Sequence, residues 1–108
     1  FGGGCGRIFE GTPKEMFESL RRLDSLPSET KVFCAHEYTE ENLRWANSIF
    51  PKDISIKRRL KKISERRAQG LLSLPSSLEE ERETNLFLRA KTLSEFHQLR
   101  KHKDCWNG

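Results

Sequence analysis

The sequence is poor in apolar residues and lacks closely spaced cysteine pairs, and each of these features argues against whole classes of protein. Apolar residues make up 34% of the chain, and no run approaches the roughly 18 consecutive apolar residues of a membrane-spanning helix. The three cysteines, Cys5, Cys34 and Cys105, are odd in number, widely spaced and form no CxxC pair. This usage fits reduced thiols better than a disulfide framework. We therefore expect a cytoplasmic protein with no membrane partner.

The small apolar fraction also limits the hydrophobic core. With 108 residues, of which 33% are charged, the chain is long enough for one small domain at most. Its apolar content is low for a self-sufficient core. Phe1 stands where an initiator methionine would be expected. We expect a fragment whose core is completed by residues that this chain lacks.

Basic residues exceed acidic ones, which gives a net charge of +4 and a pI of about 9.2. Much of the excess falls at 57–62 and 100–103. Such a balance suits anionic partners, among them nucleic acid and acidic small molecules. A solvated helix face is the simpler interpretation of 57–62. A small nucleic-acid-binding module remains an alternative, although no aromatic residues are interleaved with 57–62 as single-strand binders require. A purely structural helical module is a further alternative.

Capping residues and apolar spacing predict helices over much of the chain. The first helix starts after Thr12, with Pro13 in its first turn, and ends near Leu23. Further N-caps are predicted at Thr39, Asp53, Ser77 and Thr92. Segment 85–89 is apolar but has no assignable period, and 74–77 is expected to be a loop.

The β-forming residues at 30–34 predict one short strand. This strand delivers His36 and Tyr38 to the loop at its carboxyl end, where open α/β sheets usually keep their sites. A lone strand leaves its edges unpaired. We therefore expect its sheet partners to lie outside this chain.

His36 is the candidate metal ligand. A lone histidine after a strand is more often structural, because zinc-type metals need several His, Cys or carboxylate ligands. Cys34, His97 and His102 could be added to it, but the last two diverge on one helix. A self-contained site of these four residues is therefore unfavourable. The glycines at 2–6 lack the ending of a phosphate loop, and we expect them to let the backbone turn tightly near a site.

Four segments, taken in order along the chain, resemble the hydroxyacylglutathione hydrolases (glyoxalase II). These are dinuclear metal thioesterases of the metallo-β-lactamase fold. The glycine-rich loop continues through 7–12 as Arg-x-Phe-Glu-Gly-Thr, and 32–39 matches the family's strand and Cys-x-His-Glu-Tyr-Thr loop. Residues 85–89 match an Asn-x-Phe-hydrophobic-Arg element, and 100–104 match Arg-x-x-Lys-Asp. The ordered set covers essentially the whole chain.

The resemblance implies an α/β fragment. Residues 1–50 would be the C-terminal portion of a metallo-β-lactamase-like αβ/βα domain, with about one strand and its flanking helix. Residues 51–108 would form the mostly helical C-terminal domain of a hydroxyacylglutathione hydrolase. The partner implied for this chain is the missing N-terminal metallo-β-lactamase-like portion.

The resemblance also implies residue roles. His36 would be the last metal ligand, and no catalytic residue would lie in this chain. The implied substrate contacts are Arg7, Phe9, Tyr38, Arg100 and Lys103. Arg100 and Lys103 would bind the glycine carboxylate of glutathione, for which Arg offers a planar fork and Lys a point charge. Phe9 stands where many members have Tyr, so it keeps an aromatic wall but lacks a hydroxyl.

The intact enzyme implied by the resemblance hydrolyses S-D-lactoylglutathione to glutathione and D-lactate in methylglyoxal detoxification. It would use two divalent ions, usually zinc, with iron or manganese also found in the family. We expect a cytoplasmic monomer that acts on a glutathione thioester and binds no nucleic acid. The isolated chain should be inactive, because His36 alone cannot hold a metal that takes about four ligands.

Overall fold

The computed structural model describes residues 2–6, 11–34 and 36–106. Its elements are, in chain order, α1 (Pro13–Asp24), β1 (Lys31–Val32), α2 (Thr39–Ile49), α3 (Ile54–Ala68), β2 (Ser76–Ser77), α4 (Leu78–Thr84), α5 (Leu86–Arg89) and α6 (Leu93–Asp104). The described part of the chain is thus mostly helical, with a small two-stranded sheet. This mostly helical architecture is consistent with the expected helical C-terminal domain, whereas these residues by themselves do not show a metallo-β-lactamase portion.

Local capping explains where most helices begin. The predicted N-caps at Thr12, Asp53, Ser77 and Thr92 are confirmed, because each side chain accepts a hydrogen bond from the backbone N–H three residues further on. At Ser77 the Glu80 side chain also accepts from the cap N–H, which completes a capping box. Such a cap typically stabilises a helix by about 1 kcal/mol.

The predicted cap at Thr39 is wrong. The N-cap of α2 is Tyr38, which makes no side-chain capping bond, and Thr39 is the first helical residue. Thr39 is fully buried against the glycine-rich loop, where a Cβ at Gly2 would lie 2.5 Å from its Oγ1. Its hydroxyl therefore faces the loop backbone instead of turning back onto its own helix.

The strand prediction is correct in place, but β1 finds a partner within the chain. Lys31 pairs with Ser77 and Val32 with Ser76 in an antiparallel register. The expectations that 74–77 is only a loop and that β1 has no partner here are therefore wrong. The N–H of Leu78 continues the pairing by donating to the carbonyl of residue 30 at 2.8 Å. Two serines in extended conformation, the second of them the N-cap of α4, were enough to close this small sheet.

The unassigned segment 85–89 forms the short helix α5. Asn85 starts it by accepting hydrogen bonds from the N–H groups of Phe87 and Leu88 at 3.1 and 3.3 Å. Both of those apolar residues are buried. Four residues are too few to show a helical period, so spacing could not reveal this helix.

The hydrophobic core joins the two ends of the chain. Phe96 of α6 lies edge-on to Phe87 of α5, with ring centroids 5.5 Å apart, and packs against Phe17 of α1 at 5.8 Å. Trp45 and Leu20 are buried in the same cluster. Residues on both sides of position 50 thus share one core, and the domain boundary placed there stays a prediction.

The side chain of Glu81 places a buried carboxylate within the fold. Glu81 is fully buried, and its Oε1 accepts from the N–H of Gly3 at 2.9 Å and from Asn85 Nδ2 at 3.0 Å. Its Oε2 accepts from Ser76 Oγ at 2.8 Å and pairs with Arg59 Nη2 at 2.7 Å. One side chain therefore connects the glycine-rich loop, β2, α3 and α5.

The partners of Glu81 keep it ionised. Burial acts to raise the pKa of this carboxyl, but the Arg59 guanidinium and the donors of Asn85, Gly3 and Ser76 lower it further than burial raises it. The net pKa lies below the usual range of a glutamic acid. A buried ion pair of this kind strongly penalises the loss of either partner.

Replacing Glu81 by Gln should lower the free energy of unfolding by about 3 kcal/mol, because the buried Arg59 loses its close charged partner and keeps only the longer contact of its Nε with Glu80 Oε2 at 4.0 Å. Urea denaturation followed by tryptophan fluorescence measures the change. The matched control is Glu79→Gln, an exposed position in the same first turn of α4, where we expect a change within about 0.5 kcal/mol. Equal losses in the two variants would contradict the assigned role.

The same carboxylate should make stability fall in acid. A folded pKa below the unfolded value of about 4.3 gives stability that is complete above that value and is lost as pH falls through the folded pKa. The difference in free energy of unfolding between the unmodified chain and Glu81→Gln should therefore be constant near neutral pH and shrink below about pH 4. Urea denaturation at stepped pH checks this, and a difference that grows in acid would contradict it.

Candidate functional site

The glycine-rich loop at 2–6 lies pressed against three helices. Asn42 Nδ2 donates to the carbonyl of Gly2 at 3.1 Å, and Asn85 Nδ2 donates to the carbonyl of Gly4 at 3.0 Å. A Cβ at Gly4 would meet Asn42 Cγ at 2.9 Å, so only glycine allows this close approach. The loop leads directly to Arg7 and Phe9, two predicted substrate contacts that lie outside the described residues.

Arg100, a predicted substrate contact, is 4% exposed and fixes this loop to α6. Its Nη1 donates to the carbonyls of Cys5 and Gly6 at 2.8 and 2.7 Å. Its Nε and Nη2 contact Asp104 Oδ1 at 2.9 and 2.7 Å. The guanidinium therefore already binds the loop carbonyls, and its contact with a substrate carboxylate stays a prediction.

Lys103 lies one helical turn beyond Arg100, on the same face of α6. It is half-buried, and its Nζ lies 5.8 Å from the centroid of the Trp45 ring. Burial lowers the pKa of Lys103, the nearby Arg100 charge lowers it further, and Glu41, Cys5 and Asp104 oppose the shift. A partly desolvated ammonium without full compensation is well suited to receive an anionic ligand.

His36 and Tyr38 lie together on the exposed loop after β1. Their rings stack with centroids 5.3 Å apart and an interplanar angle of 15°. Tyr38 is 57% exposed, and His36 is exposed as well. The predicted metal ligand and a predicted substrate contact are thus neighbours at the surface, although neither role is tested by their positions.

His36 can offer an imidazole nitrogen to a metal ion, and its role as a ligand stays a prediction. Within residues 2–6, 11–34 and 36–106, no group of three or more His, Cys, Asp or Glu side chains is placed to hold a metal ion. The self-contained site considered for Cys34, His36, His97 and His102 is therefore not assembled among the described residues. His102 instead accepts a hydrogen bond at Nδ1 from Trp45 Nε1 at 3.0 Å.

Sequence reasoning missed Trp45 and Phe87 as residues next to the site. The two rings stack with centroids 5.2 Å apart at 16°, and both are fully buried. Lys103 lies over the first ring, and Arg100 lies over the second with its Cζ 5.1 Å from the centroid. No sequence signal showed that Trp45 lies beneath Lys103.

One basic residue of segment 57–62 is buried and does not belong to the exposed helix face. Arg59 is 5% exposed and pairs with Glu81, whereas its basic neighbours on α3 are exposed. The remainder fits the solvated helix face that was the simpler interpretation. Among the residues that the structure describes, no helix is both long and apolar enough to cross a membrane.

Comparisons with known proteins point to the same family as the motifs. The family described as "Hydroxyacylglutathione hydrolase C-terminus" matches residues 37–106. Proteins named hydroxyacylglutathione hydrolase from two strains of Prochlorococcus marinus are similar to the chain. The protein of strain MIT 9211 is 66% identical over 106 residues, or 98% of this chain, and that of strain MIT 9303 is 58% identical over 108 residues, or 100% of this chain. One from Synechococcus sp. WH7803 is 52% identical over 108 residues.

The chain belongs to the hydroxyacylglutathione hydrolase family, in the part that forms the C-terminus of these enzymes. It spans only 42% of the length of each of the three relatives named above. The resemblance inferred from the motifs is thereby confirmed.

The ε-amino group of Lys103 should titrate below the usual lysine pKa of about 10.4, because folding removes water from it and places Arg100 nearby. A pH titration of the lysine ¹³Cε resonances measures this, with Lys103→Met used to assign the signal. The same titration in concentrated urea is the control, since unfolding restores hydration. A folded midpoint equal to or above the midpoint in urea would contradict the burial of this amine.

Proposed function

We propose that this chain forms the C-terminal part of an enzyme that hydrolyses S-D-lactoylglutathione to glutathione and D-lactate. The observation that carries the proposal is the 66% identity to a protein named hydroxyacylglutathione hydrolase across 98% of this chain. The reaction would remove the product of methylglyoxal and glutathione in the cytoplasm. The enzyme would act as a monomer.

The rest of the enzyme would be a metallo-β-lactamase-like portion preceding this chain. Residues 1–50 would complete that portion, and 51–108 would form the helical domain that carries the basic end of α6. No catalytic residue is assigned within the chain. The shared core around Trp45 and Phe87 supports a fixed relation between these two parts.

His36 would supply one imidazole to a centre of two divalent ions, zinc in the first instance and iron or manganese as alternatives. When bound, such ions supply an activated water and polarise the thioester carbonyl. The exposure of His36 supports this role, because its ring is accessible to a metal ion whose other ligands would come from the preceding portion. The stack on Tyr38 would limit rotation of the imidazole and so keep its nitrogen directed at the metal.

The glutathione moiety would lie between the His36 loop and α6. Tyr38 and Arg7 would contact it near the metal, and Phe9 would provide an aromatic wall. Lys103 and Arg100 would bind its glycine carboxylate, with the Lys103 ammonium as a point charge. The Arg100 guanidinium, whose nitrogens already contact the loop carbonyls and Asp104, would add its positive charge. The half-buried Lys103 supports this arrangement, because its charge is not fully compensated by its surroundings.

A chimeric enzyme tests the proposal. This chain replaces the aligned 106 residues of the MIT 9211 relative, and the chimera should hydrolyse S-D-lactoylglutathione. His36→Ala should lower kcat by about 100-fold or more and reduce the bound metal, because one ligand is lost. The turnover rate and the metal content per chain are the two measurements.

His97→Ala is the matched control for this test, because His97 is an exposed histidine on α6 outside the proposed site. We expect it to retain full activity and metal. The isolated chain with added zinc should show no turnover. Normal kcat and metal content in the His36→Ala chimera would overturn the assignment of His36.

A further inference from the structure

Trp45 and Phe87 form a stacked pair of rings inside the core, which we call the aromatic shelf. The two rings lie nearly parallel at 5.2 Å, and neither is exposed. Phe87 is held from its other side by Phe96, whose ring meets it edge-on at 5.5 Å. The shelf is thus a rigid part of the core that contacts the last turn of α6.

Both basic residues of the proposed carboxylate site rest on this shelf. Lys103 Nζ is 5.8 Å from the Trp45 centroid, and Arg100 Cζ is 5.1 Å from the Phe87 centroid. The faces of aromatic rings carry partial negative charge that attracts such cations. Two cations one turn apart on a helix are therefore each matched to one ring of a fixed pair.

A hydrogen bond ties the indole to the helix that carries these cations. Trp45 Nε1 donates to His102 Nδ1 at 3.0 Å, and His102 directly precedes Lys103 in α6. The bond satisfies the N–H of a fully buried ring. It also sets the rotation of the indole, so that the face of the ring, and not its edge, meets Lys103.

We propose that Trp45 is a positioning residue that holds the Lys103 ammonium in place for the glycine carboxylate of a glutathione thioester. This inference rests on the proposed function. A free lysine side chain loses considerable rotamer freedom when it binds an anion, and a shelf that already restricts it reduces that loss. The benefit falls on binding of the glycine carboxylate, which takes no part in hydrolysis of the thioester on the neighbouring cysteine. Trp45 should therefore affect KM and leave kcat unchanged.

The test uses the chimeric enzyme and two substrates. One is S-D-lactoylglutathione, and the other is its analogue with the glycine carboxylate converted to a carboxamide. Trp45→Leu should raise KM for the carboxylate substrate about five- to tenfold, with kcat unchanged and KM for the carboxamide unchanged. Trp45→Phe keeps an aromatic face and should recover most of the lost affinity.

Lys103→Met separates this inference from the proposed function. It should raise KM for the carboxylate substrate and not for the carboxamide. If it changes neither, the carboxylate site itself is wrong, and the role of Trp45 falls with it. If it shows the expected selectivity while Trp45→Leu raises KM for both substrates equally or lowers kcat, the site stands and the positioning role is overturned.

His102 provides a second pair of variants should Trp45→Leu fail to fold. His102→Leu leaves the indole in place but removes its acceptor, whereas His102→Gln offers a side-chain oxygen instead. We expect a selective rise in KM for the carboxylate substrate in His102→Leu and its recovery in His102→Gln. Unchanged KM in His102→Leu, or equal effects of the two variants on both substrates, would overturn the inference.

Discussion

The ion pair between Glu81 and Arg59 is the interaction on which the rest of this structure depends. Its carboxylate is the common acceptor for the backbone of Gly3, the hydroxyl of Ser76 and the amide of Asn85. Removal of this side chain would leave donors from four parts of the chain without their common acceptor. The glycine-rich loop is the most dependent of these parts, because loop backbone has no helical or sheet bonds of its own.

The sequence revealed those parts of the fold that local interactions determine. Four predicted N-caps are correct because a cap involves only residues three positions apart. The cap at Thr39 and the pairing of Ser76 could not be found in this way, because the loop at 2–6 and the strand at 31–32 decide them from a distance. Glu81 was equally hidden, since a glutamate in the first turn of a helix looks like a surface residue until its partners are in place.

The candidate site shows the same division between what local sequence determines and what distant segments determine. Motif order placed His36 and Tyr38 on one loop and Arg100 and Lys103 on one helix face. In the structure the first pair lies on the loop before α2, and the second pair lies on α6. What it could not show is how the basic residues are held. The loop carbonyls that accept from Arg100 and the indole beneath Lys103 come from segments more than fifty positions away in the chain. Such contacts follow from the packing of the core and have no local pattern.

The glycine-rich loop has a consequence for how the protein is made. Its backbone is held by Glu81, Asn85 and Arg100, which follow their loop partners by 78, 81 and 95 positions in the chain. A ribosome adding about 5–20 residues per second needs roughly 5–20 s to travel from the loop to α6. The segment that leads to Arg7 thus leaves the ribosome long before its anchors exist. The loop is therefore fixed only after α6 has been translated.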